Sequence, residues 1–250
     1  MELVSSTPFY ADWTFWVVSI SFLALVLSQL PPVHLIFKPA KIDLETYSRI
    51  HITHQVGNPN LQLHLIISNI GGRDLKILGS KIDLYREQKL ITSLVAQNYL
   101  QDPADLSPIL LTRFLLKPNE EWAHLVNYFT LFNRKEEKTY RDAMHILKNN
   151  ILNQGKPANS TDLVEADNSL VDPFLEMFDE KFIFEAGEYE MVVKIETDKQ
   201  PIDIEYNYRF IVFESDTSEL ISCKDDYKYG DGIYWDSTKH LGINIPIAKL

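Results

Sequence analysis

Seven histidines, one cysteine and 35 acidic residues are the groups from which this 250-residue chain would have to build a reactive centre. His51 and His54 stand three apart, a spacing that brings two imidazoles together on a helix and sends them to opposite faces of a strand. The surrounding RIHITHQV places Ile50, Ile52 and Val56 at period two, which predicts a strand and splits the pair. His64, beyond a predicted turn, approaches either one but brings no third ligand, so structural or surface roles account for all three. His124 falls in a predicted strand and His145 in a predicted helix, and neither belongs to a metalloprotease-type pair.

Asp225, Asp226, Asp231 and Asp236, interleaved with Gly230 and Gly232, are the right material for a hard cation such as calcium. Their spacing matches no helix-loop-helix calcium loop, and an ordinary acidic surface yields the same cluster. Cys223 stands alone, which excludes a disulfide framework within the chain and every multi-cysteine metal site. No serine lies in a strained elbow, and the sequence sets no histidine beside the cysteine. Gly71-Gly72 sits between two strand-like runs and reads as a hairpin turn, not as a phosphate cradle opening a helix. The residues therefore assign no catalytic, cofactor-binding or metal site.

Charge narrows the partners. The formal net charge is −11, and residues 161–250 carry 8 Lys and Arg against 21 Asp and Glu. Such a carboxylate-rich half repels a phosphate backbone, and no basic run offsets it, so nucleic acid is not expected as a partner. A hydrophobic content of 45% is that of a folded chain and not of a disordered one.

The elements that would position these groups begin with residues 13–30, WTFWVVSISFLALVLSQL, which are free of charge. At 1.5 Å per residue they span about 27 Å, near the hydrocarbon thickness of a bilayer. Trp13 and Trp16 mark one end and Pro31-Pro32 the other, and Thr7-Pro8 suits a helix start. These features predict a single transmembrane helix with the lipid bilayer as its partner. The absence of a basic leader argues against a cleaved signal peptide. Lys38, Lys41 and Arg49 follow the segment, which places the remaining domain on the cytoplasmic side. Asn159-Ser160-Thr161 matches a glycosylation acceptor, a triplet that polar loops also produce by chance.

Beyond the anchor, 33–37 reads as a short strand or stem, and alternation over 49–56, 61–67 and 74–85 predicts strands. Residues 86–108 read as a long connection. A hairpin is expected around 117–120, with Trp122 in its second arm. From Asn133 the pattern changes: Glu136 three residues on gives the reciprocal capping signature, and Tyr140, Met144, Leu147 and Ile151 form one helical stripe. Asp172-Pro173 opens a short helix. Strands resume at 182–184, 189–196 and 202–213. The expected fold is mainly β: an N-terminal transmembrane helix, then an antiparallel, immunoglobulin-like β-sandwich with a helical insertion. Its division is 1–32 for the N-terminal segment and anchor, 33–222 for the sandwich with an insertion at about 132–178, and 223–250 for a C-terminal tail.

With no reactive constellation, the function expected is that of a membrane-tethered, non-catalytic interaction or scaffold subunit. A protein partner or second copy would dock through Tyr140, Met144, Leu147, Trp235 and Ile243. The alternatives are a membrane-anchored β domain that holds a small ligand or lipid between its sheets, and a hydrolase whose site converges only in three dimensions.

Overall fold

The structure, a computed structural model, describes residues 8–29, 38–102, 107–155, 163–198, 204–237 and 242–250. The expected strand at 33–37 and the Asn159-Ser160-Thr161 triplet lie outside the described residues. The strands are β1 (Ile42–Thr46), β2 (Arg49–Gln55), β3 (Asn58–Asn69), β4 (Leu75–Arg86), β5 (Lys89–Leu100), β6 (Ile109–Leu110), β7 (Phe114–Leu116), β8 (Glu121–Phe129), β9 (Gly187–Thr197), β10 (Ile204–Val212), β11 (Ile243–Pro246) and β12 (Ala248–Lys249). The α-helices are α1 (Trp13–Gln29), α2 (Arg134–Gln154), α3 (Asp172–Lys181) and α4 (Glu214–Ser222).

Period two decides which side chains enter the core. Along β3 every second residue from Pro59 to Asn69 is buried, and those between face outward. The strands form one antiparallel sheet in the order β11-β2-β3-β8-β5-β4-β9-β10-β12, with β1 on β3, β6 on β5 and β7 on β4. β5 makes a corner: residues 81–86 of β4 pair with its first half and β8 with its second, across a bulge between Ala96 and Asn98. A bulge of this kind bends and twists a strand. The C-terminal run then joins the two ends of the sheet. β11 pairs with 49–52 of β2, the Ile247 N–H donates to the Ser48 carbonyl, and Ala248 and Lys249 pair with Arg209 and Tyr208 of β10. Pro246, which has no N–H to give, stands where the pairing changes hands.

The expected immunoglobulin-like sandwich is thus replaced by a nearly closed antiparallel barrel. A sandwich needs two sheets that end separately, whereas here β5 is paired on both edges and the tail spans the remaining gap. Three local expectations change as well. Gly71-Gly72 is a turn but not a hairpin, because β3 pairs with β8 while β4 pairs with β5 and β9. Residues 86–108 contain β5, joined to β4 by Glu87 and Gln88 at φ 52° and 63°. The predicted turn at 117–120 forms, yet β7 on one side of it pairs with β4 and β8 on the other with β3.

The barrel interior is filled. Ile50, Leu63, Leu65, Ile82, Met191 and Val193 are fully buried, and the Ser80 and Tyr128 hydroxyls satisfy each other at 2.8 Å. Burial pushes the Tyr128 phenol far above its ordinary range. The alternative of a ligand held between sheets, which needed a hollow there, loses its place.

α2 starts where the sequence expects it. Asn133 Oδ1 accepts the N–H groups of Lys135 and Glu136 at 2.9 and 3.0 Å, and Glu136 Oε2 accepts the Asn133 N–H at 2.9 Å. With α3 and the 3-10 turn Cys223–Tyr229 it caps the end of the barrel where β2 turns into β3, and a second core of Val56, Tyr140, Leu147, Phe174, Phe178 and Tyr227 forms there. Gly57, at φ 81°, permits the close approach, since a Cβ would lie 2.6 Å from the Phe178 carbonyl oxygen. This core uses up the side chains expected to face a partner. Tyr140, Leu147 and Ile243 are 6%, 0% and 6% exposed, and Met144 and Trp235 are part-buried. Four of those five residues are taken up by internal packing, because the helix has its own cap to cover and Ile243 belongs to the barrel wall, and Trp235 is half-covered on the 230–236 loop with its Nε1 donating to the Tyr229 carbonyl at 3.0 Å.

α1 corrects the membrane assignment. Among the described residues it comprises the 17 residues Trp13–Gln29. No helix among the described residues is long and apolar enough to cross a membrane. The helix begins at Trp13 and not at Pro8 because Asp12 caps it, with Oδ1 accepting the Thr14 N–H at 2.9 Å. The transmembrane anchor at residues 13–30, the bilayer as partner, the single-pass placement and the cytoplasmic side read from Lys38, Lys41 and Arg49 all fall with that finding. So does the tether on which the expected scaffold function depended.

Candidate functional site

Two surface features stand out from the filled barrel. The first is α1. From Trp13 to Ser28 every residue except Ser19 is exposed, and eleven large apolar side chains are among them, with Trp13, Val18, Ile20, Phe22 and Leu25 above 60%. Thr14, Ser21 and Ser28 recur at seven-residue spacing, and at 100° per residue they form one narrow polar stripe, with the remaining circumference apolar except for Ser19, about 140° from Thr14. The serine hydroxyls are already satisfied, Ser21 by the Val17 carbonyl and Ser28 by the Leu25 carbonyl, both at 2.7 Å. Trp16 Nε1 donates to the Tyr10 carbonyl at 2.8 Å, which ties the helix to the turn before it.

The second feature is a polar cleft beside the cap. β2 alternates so that Ile50 and Ile52 enter the barrel while His51, Thr53 and Gln55 face out, and β3 sets Asn60 opposite Thr53. A loop over 230–236 folds across them. Gly230 adopts φ 79° to start it, the Gly232 N–H donates to the Trp235 carbonyl at 2.7 Å, and Asp231 Oδ1 accepts the Ser237 N–H at 2.7 Å. The half-open cleft holds about 570 Å³ and is lined by His51, Thr53, His54, Gln55, Asn60 and Asp236, with Trp235 among others. One side is fixed by a chain of hydrogen bonds: Gln55 Nε2 donates to the Tyr140 hydroxyl at 3.3 Å, which donates to the Ile233 carbonyl at 2.6 Å. Burial raises the Tyr140 phenol above its usual range, so its proton stays in place for that bond. Asn60 Oδ1 is buried and has no hydrogen-bond partner. An amide row continues outward, from Gln62 to Asn127 at 2.9 Å and from Asn127 to Asn98 at 2.6 Å. Behind the loop lies a separate apolar cavity of about 360 Å³, with Ile151, Leu163 and Val164 on one wall and Tyr234 and Trp235 shared with the cleft.

The residues singled out by sequence disperse. His51 and His54 both line the cleft, and the His54 ring is held below the cap by edge contacts with Phe178 and Phe182 at 5.2 and 5.8 Å. The Gly57 N–H donates to His54 Nδ1 at 3.2 Å, so the ring proton sits on Nε2 and donates to the Leu220 carbonyl at 3.0 Å. Both nitrogens are committed to structure. His64 lies on the outward face of β3, opposite Leu125 of β8. Of the four aspartates weighed for calcium, Asp236 reaches the cleft and Asp231 is buried beneath the loop. Among the described residues no three His, Cys, Asp or Glu side chains converge as ligands. Cys223 is buried, and burial first, then Asp226 and Asp231, pushes its thiol up to about 11, so a nucleophilic thiolate is not available near neutral pH. Thr53, Gln55 and Asn60 carried no signal beyond being polar positions on strands.

No family model matches this sequence, and no curated protein matches it.

Proposed function

We propose that this chain is a protein-interaction module in which the barrel and its cap form a rigid body and α1 is an arm that completes a helical groove on another protein. The observation that carries this reading is the exposure of α1 on nearly all sides. Each such aliphatic or aromatic side chain gains about 1.5–3 kcal/mol on leaving water, and an apolar surface of this extent marks a contact site. A symmetric pair of α1 helices would cover one face of each and leave the rest wet. A groove that surrounds the helix covers the whole apolar arc, and this favours a different protein as the occupant. The committed nitrogens of His54 and the protonated Cys223 support a binding role over a catalytic one.

The test places a photo-crosslinking side chain at Ile20 or at Phe22, which lie about 160° apart around the helix, in the full chain in its native cell. Both positions are expected to capture the same protein, other than this chain. Capture is lost with Phe22→Glu while thermal unfolding of the barrel is unchanged. Crosslinks confined to copies of the chain, capture from one position only, or none from either overturn the proposal.

A further inference from the structure

We infer that the solvent face of α2 is a docking surface for an acidic peptide segment of another protein, which does not rest on the role given to α1. Arg134, Lys138, Arg141, His145 and Lys148 are all exposed, and at 100° per residue they fall within about 80° of arc. Being three and four positions apart, they make no basic run in the sequence, yet the helix lines them up over about 21 Å. Glu137 and Asp142 lie outside that arc, one on each flank. The opposite side of α2 is sealed into the cap through Tyr140 and Leu147, so the stripe is presented on a fixed element.

This arrangement works against the helix itself. Arg134 and Lys138 stand in its first turns, where the free N–H groups already carry partial positive charge. Arg134 with Lys138, and Lys138 with Arg141, set like charges four and three apart, which is unfavourable on a helix surface. The glutamates of the first turn are engaged, Glu136 with the Lys181 ammonium at 2.9 Å and Glu137 with Arg141. Among the described residues Arg134, Lys138 and Lys148 form no ion pair, although carboxylates outnumber Lys and Arg 35 to 24 in the chain. Lys148 Nζ lies instead over the Tyr234 ring, 5.4 Å from its centroid. Local rules broken without gain to the fold mark a functional surface, and a partner's carboxylates turn each of these repulsions into an attraction.

The rest of the molecule selects the occupant. Its net charge of −11 already includes the four cations of the stripe, so the surface beyond them is acidic overall. A bilayer or a nucleic-acid duplex is broad and sets its phosphates against that surface as well. A single peptide chain is narrow enough to meet the stripe alone, and about six or seven extended residues cover its length. Leu152, one turn past Lys148 on the same line and 63% exposed, adds an apolar contact that suits a side chain and not a phosphate.

The experiment measures the fluorescence anisotropy of a rhodamine-labelled peptide of about ten glutamates against the full chain at about 20 mM salt, where exposed charges are little screened. Saturable binding is expected, tighter than that of an oligonucleotide of equal charge or of phosphatidylserine vesicles. Arg134→Glu with Lys138→Glu should weaken the peptide at least about tenfold. The urea midpoint of that variant should be unchanged or higher, because it replaces cations by anions near a helix N-terminus. Lys76→Glu with Lys117→Glu makes the same change of charge on exposed residues at the other end of the barrel and should alter binding less than about threefold. Absence of saturable binding overturns the inference, as do tighter binding of the oligonucleotide or the vesicles and equal losses in the two variants. So does a lower urea midpoint for the first variant, which would mean that the stripe serves the helix.

Discussion

At the barrel end opposite the cap, Asn69 is fully buried and its polar groups are all engaged. Nδ2 donates to the Arg73 and Leu116 carbonyls at 2.9 Å each, Oδ1 accepts the Gly71 N–H at 3.0 Å, and the backbone exchanges bonds with Glu120 and Asn119 at 2.9 and 2.8 Å. Asn69→Leu conserves bulk but takes its donor from the Leu116 carbonyl and leaves the Gly71 N–H with the Lys41 carbonyl alone, at 3.1 Å, so a loss of about 1–3 kcal/mol is expected, read as a lower urea midpoint at unchanged slope. On the outer wall Asp83 is buried between Ser93, at 2.5 Å, and Lys194, at 3.2 Å. Burial opposes its charge, but the Ser93 hydroxyl and the Lys194 ammonium outweigh burial and hold its carboxyl below the usual range. A depressed folded value means that the stabilisation is fully present above the unfolded pKa, about 3.9, and is lost as pH falls through the folded value. Asp83→Asn should therefore lower the urea midpoint near neutral pH, and the gap to the parent should narrow in acid. A gap independent of pH would assign the loss to packing.

Among the elements, the β4–β5 hairpin is the least expected from composition. Its two turn residues, Glu87 and Gln88, both hold positive φ, the geometry of a tight hairpin turn that ordinarily draws Asn and Gly. Residues with a Cβ pay about 1–2 kcal/mol to sit there. The double substitution Glu87→Asn and Gln88→Gly should raise stability by about 1 kcal/mol, visible as a higher urea midpoint, and a neutral result would show that the turn relaxes at no cost. α2 shows the converse case, in which Asn133 and Glu136 wrote the helix start into the sequence and the structure forms it bond for bond. The stripe on that helix was equally legible. Its neighbour was not, because a helical period reports that a face is covered and not whether α3, a sheet edge or another chain covers it.

For the whole molecule, closure depends on eight C-terminal residues. Residues 243–250 bridge β2 and β10, and a sheet that loses them regains two open edges. Truncation after Gly242 should increase amide hydrogen exchange along β2 and β10 together, while β4 and β9, paired over 77–86, keep their protection longest. Within the intact chain, Ile245→Ala, at a position 3% exposed opposite Ile50, should cost about 2–5 kcal/mol. Unchanged exchange in β10 after truncation would mean that the barrel closes without its tail.

The sequence by itself determined a mainly β domain, the strands whose alternation is unbroken, the capped helix from Asn133, Pro173 at the start of α3, and an apolar helix near the N-terminus. Each of these rests on residues a few positions apart. Only the tertiary structure decided that β3 pairs with β8 and not with β4, that the sheet closes as a barrel, and that Tyr140, Leu147 and Ile243 are core. Alternation states which face of a strand is buried but is silent on its neighbour, so sandwich and barrel read alike. The start of α1 turned on one side chain, Asp12, that caps it after the Thr7-Pro8 pair taken as its beginning. The cleft was hidden for the same non-local reason: Thr53, Gln55 and Asn60 are ordinary outward polar residues until a loop some 175 positions further along the chain brings Trp235 and Asp236 across them.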